Sequence, residues 1–322
     1  MVALIMNTSL TILTPTYNRA NWLERLYRSL VAQTRRDFEW LVVDDGSTDH
    51  TPQLIASLKA ENTITIRYIR KDNGGKHTAV NAGVALIESP LTFIVDSDDY
   101  LTANAVERAL DVWGQHASPR LSGLCFLRGT SPDHPLGRTF ASHCSVASYI
   151  DMRFNRGISG DKAEIYKTDV LKAYPFPEFA GERFLAEDAV WARIGLLYEM
   201  VHINEIIYIS NYLEGGLTLG DQSINVRCAN GSVESTRWFL SRKVRLKVRL
   251  PMAWRYVAYG LFAKKPLREL LRMTESPLLV LTQLPAGVAL YMYWSRKFAP
   301  QLARARTLNG PPPRAQINSD AS

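Results

Sequence analysis

"LTFIVDSDDYLT" (residues 91–102) joins an apolar run to three aspartates within four positions. The run reads as a strand and the aspartates as its end, where like charges repel unless something offsets them. A solvated turn is the simplest reading, since Asp and Ser favour turns through local hydrogen bonds. A calcium loop is a second, because Asp96, Asp98 and Glu107 fall at the first, third and twelfth positions of an EF-hand. That loop also needs an oxygen ligand and then a sharp-turn glycine, and Tyr100 and Leu101 stand there instead. A divalent metal shared with a phosphorylated ligand is the third reading, and the flanking sequence favours it.

Upstream, strand-like and helix-like runs alternate. "LTILTPT" (10–16), "EWLVVDDGSTD" (39–49) and "ITIRYI" (64–69) read as strands. "NWLERLYRSLVAQ" (21–33) has helical apolar spacing and a candidate Asn cap, "TPQLIASLKA" has proline at a helix start, and "HTAVNAGVALI" is helical again. Such alternation predicts an α/β fold with a mostly parallel central sheet covered by helices. Ligands of these sheets bind beyond the carboxyl ends of the strands, where Tyr17, Asp44, Asp45 and the 96–99 cluster all fall. Residues 118–160 read as irregular apart from a strand at "SGLCFLRG". "GERFLAEDAVWARIGLLYEM" (181–200) predicts a helix starting near Glu187, and "VHINEIIYISNY" a strand.

The chain has 322 residues, 46% of them apolar, enough for one large domain or two smaller ones. Its three cysteines (Cys125, Cys144, Cys228) lack metal-ligand spacing and predict thiols in a reducing compartment. Met1–Leu13 has no basic leader, which predicts the absence of a signal peptide. The net charge of +7 is uneven: residues 237–322 carry +13 and residues 1–236 carry −6. A single-sign block points to a polyanionic partner.

Neither GxGxxG nor GxxxxGK[ST] occurs, so a nucleotide would be held by another design. "TPTYNRANWLERLYRSLVAQT", "WLVVDDGSTDHT", "NGGKHTAVNAG" and "FIVDSDD", in that order and spacing, resemble the successive N-terminal motifs of family 2 glycosyltransferases. "GDKAEIYKTDVLKAYPFPEFAGERFLAEDAVW" extends the resemblance into the catalytic half, over residues 10–215 or so. It implies a single Rossmann-like GT-A domain that binds a nucleotide-diphosphate sugar, a UDP-sugar favoured, with Mg2+ or Mn2+.

On this resemblance Thr14, Pro15, Tyr17, Asp45, Asp72, Lys76, Asp96 and Ser97 would contact the nucleotide sugar. Asp98, with Asp96 beside it, would hold the metal, which neutralises the departing diphosphate. Asp99 is either a third site acid or a cap on a helix starting near Thr102. Gly74 and Gly75 would let the backbone approach the ligand. One of Asp44 and Asp45 would serve only the turn at Gly46. The resemblance makes Asp188, ahead of Glu187, the general base of an inverting transfer. From spacing alone the pair is an ordinary favourable charge at a helix N-terminus. Trp191 would line the acceptor pocket or sit in the core. Processive relatives carry Q-x-x-R-W, whereas Gln222 and Arg227 have the wrong spacing and no tryptophan follows. Single-sugar addition, of the kind that builds bacterial surface polysaccharides, is therefore expected. A non-catalytic nucleotide-sugar-binding protein and a nucleotidyltransferase are the competing readings.

After Arg237 the sequence turns basic ("RKVRLKVR", 242–249), then aromatic ("PMAWRYVAYGLF", 251–262), and Ser276–Ser295 is uncharged. This predicts a catalytic domain over 1–236, a helical membrane-associating region over 237–303 and a disordered tail over 304–322. A peripheral protein on the inner face of the cell membrane follows, with an interfacial or re-entrant helix and a lipid-linked saccharide acceptor. A packed helix pair with a solvated basic face is the alternative. No nucleic-acid recognition motif accompanies the charge.

Overall fold

The computed structural model describes residues 8–210 and 223–308. The strands are β1 (Leu10–Thr16), β2 (Phe38–Asp44), β3 (Ile66–Arg70), β4 (Leu91–Ile94), β5 (Tyr100–Leu101), β6 (Leu121–Ser131), β7 (His134–Pro135), β8 (Cys144–Ala147), β9 (Lys162–Lys167) and β10 (Glu199–Ile209). Helices α1 (Ala20–Val31), α2 (Thr51–Ala60), α3 (Lys76–Leu86), α4 (Ala105–His116), α5 (Thr168–Ala173) and α6 (Asp188–Gly195) alternate with them. Seven more follow: α7 (Ile224–Arg227), α8 (Ala229–Trp238), α9 (Leu246–Phe262), α10 (Leu267–Arg272), α11 (Pro277–Thr282), α12 (Leu284–Lys297) and α13 (Ala299–Leu308).

All of these strands join one sheet, in which β3-β2-β1-β4-β9-β6-β10-β5 lie side by side. The β3-β2-β1-β4 half is parallel, as the alternation predicts. Beyond it the sheet is mixed, because β9 inserts antiparallel to both β4 and β6. Residues 118–160 are more ordered than expected: β7, β8 and a short π-helical turn at Asp151–Asn155 occur there.

Strand side chains alternate between faces, and both faces are covered. Leu10, Ile12, Trp40, Val42, Leu124 and Phe126 enter the core beneath α1, α2 and α4. Leu13, Leu41, Val43, Cys125 and Leu127 enter the core that α3, α5 and α6 close. Two-sided burial is why "EWLVVDD" reads as a continuous apolar run and not as an alternating one. Asn21 does not cap α1, whose N-cap is Arg19 without a side-chain bond. Nor does Asp99 cap α4, which begins at Ala105.

The expected domain boundary at 236/237 falls inside α8. Phe239 and Val244, just beyond it, share a buried cluster with Ile150, Ala192 and Leu196 of the α/β unit. The C-terminal helices therefore continue the core, and cutting at 236 would expose it. Within the expected tail, residues 304–308 belong to α13; residues 309–322 and Gln222 lie outside the described residues.

Candidate active site

The site forms where the parallel strands end, and β1 shows how few residues there stay free. Thr14 is fully buried, and its hydroxyl accepts the Trp40 indole N–H at 3.0 Å. Pro15 is buried opposite Val43. Both side chains are thus packed into the sheet, which leaves the backbone of this strand end to meet a ligand. Tyr17, one step past the strand, is 47% exposed and remains available.

After β2, both aspartates are engaged by the protein. Asp44 accepts the Ser47 amide at 2.7 Å and the Tyr68 hydroxyl at 2.6 Å. Asp45, 3% exposed, accepts the amides of Gly74 (3.0 Å) and Gly75 (2.7 Å) and the Lys71 ammonium (2.8 Å). It thus shapes the glycine loop, and a ribose contact would compete with these bonds. The glycines also differ from expectation. At Gly75, with φ 97°, a Cβ would stand 2.0 Å from the Arg183 carbonyl oxygen, so the close neighbour is the chain's own backbone. Asp72 lies exposed at the surface, and Ser97 is buried.

Lys76 opens α3 and is no solvated lysine. Its ammonium bridges Asp96 at 2.5 Å and Glu187 at 2.8 Å, tying the end of β4 to the start of α6. Burial alone would lower the Lys76 pKa, but the two carboxylates raise it and keep the group charged. Burial likewise opposes ionisation of Asp96, yet Lys76 and then Arg128, 3.6 Å away, hold its pKa below the usual range. Asp99 is buried, and its carboxylate accepts the hydroxyls of Tyr208 and Ser210, both at 2.9 Å. Desolvation first, and the neighbouring Asp96 second, push its pKa up to about 6.

Asp98 is partly exposed, and among the described residues its carboxylate has no partner. Among those residues there is also no cluster of three or more acidic, His or Cys groups able to hold a metal. Asp96 as a metal ligand does not fit this arrangement, since two cations already occupy its oxygens. A magnesium- or manganese-type ion needs only one or two carboxylates when phosphate oxygens and water complete its shell. The unpartnered Asp98 fits that role.

Glu187, bridged to Lys76, and Asp188 line with this cluster a cavity of about 370 Å³, whose lining also includes Arg128 and Glu164. The Tyr149 hydroxyl donates to Asp188 at 2.5 Å. Burial raises the Asp188 pKa, partly offset by that bond and by Arg153. A carboxylate oriented by one donor and poorly solvated is suited to accept a proton. Trp191 also lines the cavity, but its ring stacks on Tyr166 at 4.4 Å and is 4% exposed, so it is mainly core.

Sequence reasoning missed Arg128, Tyr149, Arg153 and Glu164. Arg128 follows the buried run 121–127 of β6, stacks on Tyr208 with its guanidinium 4.0 Å from the ring centroid, and donates to the Lys162 carbonyl. A cation closing an apolar strand was the available signal for Arg128. For Glu164 it was the isolated acid within "KAEIYK".

A mixed sheet with parallel strand ends that gather acids and cations defines a nucleotide-sugar-transferase (GT-A) type of fold. Residues 11–120 match the model of "Glycosyl transferase family 2". It is 40% identical over 100 residues to the chondroitin synthase of Pasteurella multocida, covering 31% of this chain and 10% of that one. It is 27% identical over 164 residues to the poly(ribitol-phosphate) beta-N-acetylglucosaminyltransferase TarS of Staphylococcus aureus, covering 50% of this chain and 28% of TarS. The matched stretches thus span less than a third of these two relatives. In fold, the chain is similar to S. aureus TarS 1-349 in complex with UDP-GlcNAc, with a TM-score of 0.59, 19% identity, and 91% and 92% of the two chains covered. It also resembles the mannosyltransferase PcManGT of Pyrobaculum calidifontis in complex with GDP-Man and Mn2+, with a TM-score of 0.54, 18% identity, and 94% and 87% covered.

Proposed function

We propose that the chain moves one sugar from a nucleotide-diphosphate donor, a UDP-sugar favoured, to a hydroxyl of a saccharide acceptor, inverting the anomeric centre. The observation that carries this reading is that Asp188 lines the same cavity as Lys76, Asp96 and Arg128, with Glu187 joined to Lys76. The cations suit a diphosphate. Asp188, set by Tyr149, is available to take the proton of the attacking hydroxyl. Lys76 positions Glu187 and would be released toward the diphosphate when the donor enters. Asp98 would hold Mg2+ or Mn2+, which when bound neutralises charge on the leaving diphosphate. The TarS and PcManGT complexes, with UDP-GlcNAc and with GDP-Man and Mn2+, support the donor class. The test is release of nucleoside diphosphate from a panel of UDP- and GDP-sugars, with and without chelator. Turnover should vanish in chelator and in Asp98→Asn. Full turnover in excess chelator would remove the metal role, and donor binding without any turnover would favour a non-catalytic binder.

The same proposal places the chain on an anionic membrane surface, with a lipid-linked acceptor in surface polysaccharide synthesis. Among the described residues no helix is long and apolar enough to cross a membrane. The uncharged 276–295 stretch is broken between α11 and α12. Its inner side packs inward through Val280 and through Gly287, where a Cβ would meet Val257 at 2.4 Å. Leu278 (76%), Leu281 (42%), Met292 (50%) and Tyr293 (58%) face outward, next to Arg296 and Lys297. Apolar side chains beside cations fit an interfacial helix, and each surface charge adds roughly 1 kcal/mol of lipid attraction. The protein should sediment with phosphatidylglycerol vesicles and be only partly released by salt. Leu278→Glu with Met292→Glu should leave it in the supernatant while its melting temperature holds. A wild type that stays in solution with these vesicles at low salt rules out the membrane claim.

A further inference from the structure

Five acids line the large cavity, and four of them are engaged by a neighbour. Asp96 and Glu187 meet Lys76, Asp161 meets Arg153, and Asp188 meets Tyr149. Glu164 alone receives no hydrogen bond or ion pair from another described side chain. Strand alternation explains why it points there. β9 runs antiparallel between β4 and β6 and sends Lys162, Glu164 and Tyr166 to one face, with Ala163 and Ile165 in the opposite core. Tyr166 is stacked on Trp191, and the Lys162 ammonium is bonded by the carbonyls of Leu136, Ser159 and Gly160. Lys162 and Glu164 both line the cavity, and only the Lys162 head group is spent on those carbonyls; the Tyr166 hydroxyl, though without a partner, is outside the lining. Arg128 and Arg153 act on it electrostatically without reaching hydrogen-bond distance, while Glu187 opposes its charge. Burial pushes its pKa up to about 7, so the folded protein gains nothing from the ionised acid.

An acid without a side-chain partner in a formed polar cavity costs stability unless a ligand satisfies it. Its position says which ligand group does so. With the diphosphate at the Lys76 and Arg128 cations and the acceptor hydroxyl beside Asp188, the donor's sugar ring falls in the same cavity, which Glu164 lines. We propose that Glu164 is a specificity-determining residue that hydrogen-bonds a hydroxyl or amide of the donor sugar. This inference rests on the nucleotide-sugar reading of the same site. It adds that the nucleotide is held without Glu164 and the sugar is held with it.

The experiment compares affinities for UDP, GDP and their hexose and N-acetylhexosamine conjugates in the full chain and in Glu164→Gln and Glu164→Ala. In Glu164→Ala the free nucleotide should bind as in the wild type, and the sugar conjugate should lose about tenfold or more. Glu164→Gln should recover part of that loss, because its amide can still form the bond. Both variants should melt higher than the wild type at pH 8, since an uncompensated acid is gone; this also shows that they fold. Equal losses for nucleotide and conjugate, or no loss for either, overturn the assignment. A wild type that binds no nucleoside diphosphate at all overturns the underlying reading and Glu164's role with it, and is recognisable because the failure precedes any substitution.

Discussion

Asp188→Asn should leave donor affinity close to wild type while sugar transfer falls by about 10²–10⁴, the usual contribution of a positioned general base. The substitution removes the oxygen that would take the acceptor proton but keeps the shape and one partner for the Tyr149 hydroxyl. It acts on the acceptor side, so kcat should fall far more than donor KM rises. Steady-state kinetics with donor and acceptor varied separately read this out. A larger fall in Glu187→Gln would transfer the role to that residue. Glu187 would then act as base while paired with Lys76 at 2.8 Å.

Lys76→Met should lose both donor binding and stability. In the folded protein the ammonium lies between Asp96 and Glu187. Without it, Asp96 keeps only the more distant Arg128 and Glu187 keeps none of its present bridge. Uncompensated acids in a site of this burial cost about 1–3 kcal/mol, discounted from the fully buried case because Lys76 is 33% exposed. The pH dependence follows from Asp96, whose folded pKa lies below its unfolded value. Its stabilisation is present above the unfolded value and is lost as pH falls through the folded one. The deficit of Lys76→Met should therefore be largest at neutral pH and shrink in acid. An equal deficit at every pH would mean that Lys76 acts through packing of its methylenes and not through its charge.

The first half of the fold was legible because its signals are local. Between Leu10 and Ile94, strand and helix lengths, apolar periods and the proline at the start of α2 all point to the same elements, and parallel β-α-β units follow. The second half depends on pairing between distant segments. Nothing in "KAEIYK" says that it enters between β4 and β6 in the opposite direction, yet that register is what brings Glu164 and Arg128 into the cavity. The position of acids was legible where a motif puts them at a strand end, since Asp96 and Asp98 do follow β4. What the motif did not show is which of its residues also support the fold, as Thr14 does beneath Trp40 and Asp45 beneath the glycine loop. Local chemistry cannot separate these cases, since a buried carboxylate serves a backbone amide as well as it serves a ribose. The C-terminal boundary failed for a related reason. The shift to basic composition begins near Arg237, but Phe239 and Val244 belong to a core whose other members lie 40 or more residues earlier.

The central claim is that the strand-end crevice binds a nucleotide-diphosphate sugar with help from a metal. Ligand linkage makes this visible as melting temperature, because binding to the folded state alone adds stability in proportion to RT ln(1 + [L]/Kd). The direct measurement is a thermal-shift series with UDP, GDP and their sugar conjugates, each with manganese and with chelator. At least one conjugate should raise the melting temperature, with a larger rise in manganese than in chelator and a smaller one in Asp98→Asn. No shift from any nucleotide or conjugate in manganese, with the protein folded throughout, would contradict the account.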